Sequence, residues 1–133
     1  MIGSEVEDLR YDKGENRHKH DGSVAEARMV RKGGILVGEC PKGFPLDLAE
    51  DLLRKSIPES RGTIQQIPYR RWAYYMGAIY LAVSSDGGRT WHAFPNGHPK
   101  DEPPRTILRQ LMERAEALGE GKLLCDWLRK RWT

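Results

Sequence analysis

Residues 69–95, YRRWAYYMGAIYLAVSSDGGRTWHAFP, constrain the fold more than any other part of the chain. Three runs rich in aromatic and apolar residues are broken at Met76-Gly77 and at Asp86-Gly87-Gly88. Glycine at such breaks reaches the positive φ that a tight hairpin turn needs. The pattern predicts a three-stranded antiparallel meander made of YRRWAYY, AIYLAVSS and RTWHAFP. A two-residue loop at Met76-Gly77 would set Tyr75 opposite Ala78, Tyr74 opposite Ile79 and Trp72 opposite Leu81. Because side chains alternate along a strand, one face then gathers Trp72, Tyr74, Ile79, Leu81 and Val83. The other gathers Tyr69, Arg71, Ala73, Tyr75, Tyr80 and Ala82. A four-residue loop over Asp86–Arg89 adds Trp91 to that second face, whereas a three-residue loop sends it to the first.

Around the meander the apolar period changes from two to about three and a half. In 45–57, PLDLAEDLLRKSI, Leu46, Ala49, Leu53 and Ile57 make a helical stripe that Leu48 and Leu52 widen. Pro45 suits the start, Arg54 and Lys55 suit the end, and Pro58 stops the helix. Residues 103–118 predict a second amphipathic helix carrying Ile107, Leu108, Leu111, Met112, Ala115 and Leu118, with Gly119 as its stop. A short third helix, 122–132, has Leu123, Leu124, Trp127 and Leu128 on one side and Arg129-Lys130-Arg131 at its end. Upstream, SVAEARMVRKGGILVGECP turns at Lys32-Gly33-Gly34. Ile35-Leu36-Val37 reads as a strand, and Ala25 to Val30 as its hairpin partner in preference to a short helix. Residues 1–22 mix both charge signs without apolar spacing and read as a flexible arm. The fold class is therefore α+β: an N-terminal β-hairpin, a helix, a three-stranded meander and two C-terminal helices packed on the sheet, within one domain over 23–133.

Bulk properties narrow the function classes. At 133 residues the chain suits one core without disulfide or metal staples. A mean hydropathy of −0.68 and the absence of any long apolar run argue against a membrane partner and for a cytoplasmic protein. Cys40 and Cys125 stand outside any CxxC or His-flanked pattern, which fits reduced thiols. The net charge is +3, and residues 68–133 supply the excess, with 11 Lys/Arg against 7 Asp/Glu. That bias permits an acidic partner without demanding one. No phosphate-cradling loop, nucleophile elbow or cofactor motif is present, so no cofactor is implied.

Two places carry chemistry-bearing residues. The segment WHAFPNGHPKDEPP holds His92, His98 and Asp101, which could act as metal ligands or as an acid-base set in a small hydrolase or nuclease. Every residue there also has a structural use. Pro95-Asn96-Gly97 turns the chain, Asp101 or Glu102 caps the next helix, and Pro103-Pro104 opens it. A His-x-His in HKHDG lies in the arm, where further ligands would have to be pre-positioned. The second place is the Tyr69, Arg71, Tyr75 and Tyr80 face, whose residue types stack on bases or anchor protein interfaces. The reading preferred on sequence is a small binding module without catalysis, meeting a protein or nucleic-acid partner on that face, with a homo-oligomer also compatible. It requires the face to be open rather than covered by a helix.

Overall fold

The computed structural model describes residues 10–11, 26–59, 70–84, 86–97 and 101–130. Its centre is the expected meander, with β5 at Arg70–Tyr75, β6 at Ala78–Val83 and β7 at Thr90–Pro95. Met76 (φ 49°) and Gly77 (φ 87°) both take the left-handed conformation that a two-residue hairpin matched to strand twist requires. The register follows from that turn, pairing Tyr75 with Ala78, Tyr74 with Ile79 and Trp72 with Leu81. At the second hairpin Val83 faces His92 and Ala82 faces Ala93, the register of a four-residue loop, so Trp91 joins the Arg71 face. The Asp86 carboxylate holds this loop by accepting from the backbone of Arg89 and Thr90 and from the Ser84 and Thr90 hydroxyls.

Two short strands, unforeseen from the sequence, extend the meander. Residues Ile57–Pro58 form β4 beside β5, with Ile57 opposite Trp72. Residues Arg10–Tyr11 form β1, parallel to β7, with Arg10 opposite Thr90. The sheet order is β1-β7-β6-β5-β4. The N-terminal hairpin, β2 at Arg28–Lys32 and β3 at Ile35–Glu39, turns at Gly33 and Gly34 and makes a separate two-stranded sheet. It crosses β7 at one intimate point. A Cβ on Gly38 would stand 1.7 Å from the Pro95 carbonyl oxygen, so only glycine fits there.

The three helices are α1 at Leu46–Lys55, α2 at Arg105–Ala117 and α3 at Gly121–Arg129. Pro45 and Pro104 stand at the N-cap positions of α1 and α2, and Gly119 (φ 75°) ends α2 with a left-handed turn. Ile57, read as the last residue of the α1 stripe, belongs instead to β4, because α1 ends at Lys55 and Ser56 is already extended.

Both faces of the sheet are covered. Trp72, Tyr74, Ile79 and Leu81 are buried, as are Ile107, Leu111 and Ala115 of α2 and Leu124 and Trp127 of α3. The Tyr74 hydroxyl ties this face to the α2–α3 junction by donating to Glu120 at 2.7 Å while accepting from the Gly77 N–H. On the opposite face Arg71, Ala73, Tyr80, Ala82 and Trp91 are buried too, and Ala49, Leu52 and Leu53 of α1 lie over it. The expectation of an open aromatic-basic face is corrected here. An apolar stripe on a helix shows that it must cover something but not which side of the sheet, and α1 takes the side the two C-terminal helices leave.

Candidate functional site

Tyr69 lies outside the described residues, and of the other three members of the expected cluster Arg71 stands apart while Tyr75 and Tyr80 stay together. Arg71 is only 7% exposed. Its Nε donates to the Ser56 hydroxyl at 2.6 Å and one Nη2–H to the Ser56 carbonyl at 2.9 Å. Ser56 is the C-cap of α1, so the guanidinium sits where the helix dipole favours a cation. Its carbon also stands 5.9 Å from the centre of the Trp91 ring. Burial lowers the Arg71 pKa. Tyr80 is buried, and Tyr75 is half-buried. With Phe44, from the loop before α1, they form an aromatic trio whose ring centres are 5.6 Å (Phe44–Tyr75), 6.0 Å (Phe44–Tyr80) and 6.5 Å (Tyr75–Tyr80) apart.

That trio borders a cleft of about 480 Å³ at the end of the sheet where β5 turns into β6. Leu48 of α1, Ala78 of β6 and Trp127 of α3 complete its walls. Met76 and Leu123 reach it while 68% and 49% exposed, so apolar side chains stand at its mouth. Glu26, Lys42, Asp126 and Lys130 also border it, two of each sign. Trp127 is fixed by its indole N–H, which donates to the Asn96 carbonyl. A smaller cavity of about 30 Å³ lies between α1 and the sheet, bordered by Arg71, Ser56, Ala73, Ala82 and Ala93. Phe44 and Tyr80 border both hollows.

The His92, His98 and Asp101 set stands differently. His98 lies outside the described residues. Asp101 faces Arg70, which grips its two oxygens at 2.7 and 3.4 Å. The same guanidinium donates through Nε to Glu59, whose Oε1 also accepts from the Trp72 indole at 2.7 Å. Burial alone would lower the Arg70 pKa, yet the hydrogen bond and charge of Asp101, then those of Glu59, together raise it. Asp101 also orders the chain around itself, since its backbone carbonyl accepts from the Asn96 amide. It does not cap α2; Pro104 occupies that position. His92 lies in β7 opposite Val83. Among the described residues no group of three His, Cys, Asp or Glu side chains is close enough to hold a metal ion. Cys40 and Cys125 are not bridged, and among the described residues no helix is long and apolar enough to cross a membrane.

Sequence reasoning missed Phe44, Leu48 and Trp127 as cleft residues and Glu59 as the partner of Arg70. Phe44 did carry a signal. An apolar residue just before a helix N-cap commonly packs back on the first turns, which places it beside whatever the helix covers. Compared with known proteins, the chain matches no family model, no curated protein and no solved structure.

Proposed function

We propose that the chain is a binding module without catalysis, and that it takes an apolar group of its partner into the cleft bordered by Phe44, Leu48, Tyr75, Tyr80 and Trp127. One observation carries this reading: an aromatic-walled hollow of about 480 Å³ with exposed apolar side chains at its mouth. Ligand sites are commonly concave, largely apolar hollows of roughly 300–1,000 Å³ with few polar groups. Tyrosine and tryptophan add large rigid contact area at little entropic cost. Acidic and basic side chains balance around this hollow, which favours an apolar group over the phosphate track of a nucleic acid. Tyr75 and Tyr80 thus keep a recognition role at the end of the sheet, while Arg71 lies inside.

A neutral fluorescent probe, N-phenyl-1-naphthylamine, tests the reading. Its emission is expected to rise to saturation at one probe per chain. Leu48→Gln and Tyr75→Ser should each weaken it about tenfold, the effect of losing roughly 1.5 kcal/mol of apolar contact. Unsaturable binding, or binding indifferent to both variants in folded protein, would contradict it.

A further inference from the structure

We propose that the hollow under α1 and the cleft together bind a medium-chain monocarboxylate, its head group on Arg71 and its tail in the cleft. The inference rests on the cleft reading above and adds the chemical class of the ligand. It starts from the hydrogen-bond inventory of one buried side chain. Ser56 takes the edge of the guanidinium formed by Nε and one Nη2–H. The terminal edge, one N–H from each Nη, meets no acceptor among the described residues. Among the described residues no carboxylate pairs with Arg71: Glu59 and Asp101 pair with Arg70, and Glu39 pairs with Arg28. The dipole of α1 supplies only partial negative charge. Buried cations are ordinarily paired, and a guanidinium edge of two parallel N–H groups matches a carboxylate.

Space for such a group lies beside it. Arg71, Ala82 and Ala93 form one row across β5, β6 and β7, so along that row the sheet carries only methyl groups beside the guanidinium. The resulting cavity of about 30 Å³ is twice or more what one water needs, about 10–15 Å³, and suits the two oxygens of a carboxylate. Ala49, Leu52, Leu53 and Phe44 add apolar walls, and Cys40, Ser56 and Tyr80 also border it. Arg71, Ala73 and Tyr75 share one strand face, and at the rise of an antiparallel strand Tyr75 is about 13 Å from Arg71. An extended tail of about ten carbons, running past Phe44 and Tyr80, which border both hollows, approaches that length.

Titration calorimetry of the wild-type protein with decanoate, decanamide and 1-decanol tests the assignment, with arginine side-chain NMR locating the head group. Decanoate is expected to bind about tenfold more tightly than decanamide, as a hydrogen-bonded charge pair commonly allows. The Arg71 Nη resonances should move with decanoate and stay in place with decanamide. Arg71→Met should erase the preference while 1-decanol still binds in the cleft; if that variant does not fold, the acid–amide comparison in wild-type protein decides alone. Equal affinity for all three compounds, or a preference for the acid with Arg71 unmoved, would overturn the carboxylate assignment and leave the cleft reading standing. Failure of all three to bind would overturn both.

Discussion

Single residues in this protein do their work by answering a specific buried partner, and Tyr74 is the clearest case. Its phenol is pushed up to about 12 by burial and by the hydrogen bond to Glu120. The ordinary value is 10, so the folded state prefers the neutral phenol. Its contribution to stability is therefore complete below pH 10 and drains away as the pH rises from there through about 12. Tyr74→Phe leaves the Gly77 N–H without its acceptor and should lower unfolding free energy by about 1–3 kcal/mol at neutral pH. The alkaline loss should also shrink in the variant, and urea titrations between pH 8 and 12 would show both effects. Asp86 titrates at the other end. Hydrogen bonds from Thr90, then from Ser84, hold its carboxyl below the usual carboxylate range. Its contribution is thus present above that range and is lost only as the pH falls through the depressed value.

At the scale of elements, the Arg70 cluster joins three parts of the chain: β5, the residue after β4, and the segment between β7 and α2. Glu59 and Arg70 have side chains 10% and 20% exposed, whereas that of Asp101 is 41% exposed. Removing the cation from a buried pair leaves an uncompensated charge, so Arg70→Met should cost about 3–5 kcal/mol. Asp101→Asn keeps an acceptor for Arg70 at a half-exposed position and should cost about 1 kcal/mol or less. Chemical denaturation with unchanged slopes would establish the ranking, and equal costs would speak against the cluster as the joint. Elements also mark how far the sequence could be read. Met76-Gly77 fixed the register of β5 against β6, because turn chemistry is local, whereas the loop before β7 could be read with three or four residues and only the structure chose four. The two-residue strands β1 and β4 were invisible, since a pair of residues shows no alternation. Ile57 fell in step with the α1 stripe and only the geometry after Lys55 moved it to a strand. Asp101 or Glu102 read as a helix cap because an acid before a helix looks the same whether it meets N–H groups or, as Asp101 does, an arginine across the fold.

Considered as a whole, the molecule is a sheet with helices on both sides, and that layering decides where it can meet a partner. The sequence sorted the two sheet faces correctly but was silent on whether the Tyr/Arg face is open, because amphipathic helices carry no address. With α1 over Arg71, Ala73, Tyr80 and Ala82, the described aromatic residues of that face reach the outside at the sheet end, beside Met76 and Leu123. The most direct measurement of this layering is NMR line broadening by an inert soluble gadolinium chelate added to wild-type protein. The Met76 methyl and Leu123 methyl signals are expected to broaden strongly, while the Arg71 guanidinium and Tyr80 ring signals stay sharp. Arg71 and Tyr80 broadening as much as Met76 would contradict the covered face and return recognition to an open sheet surface.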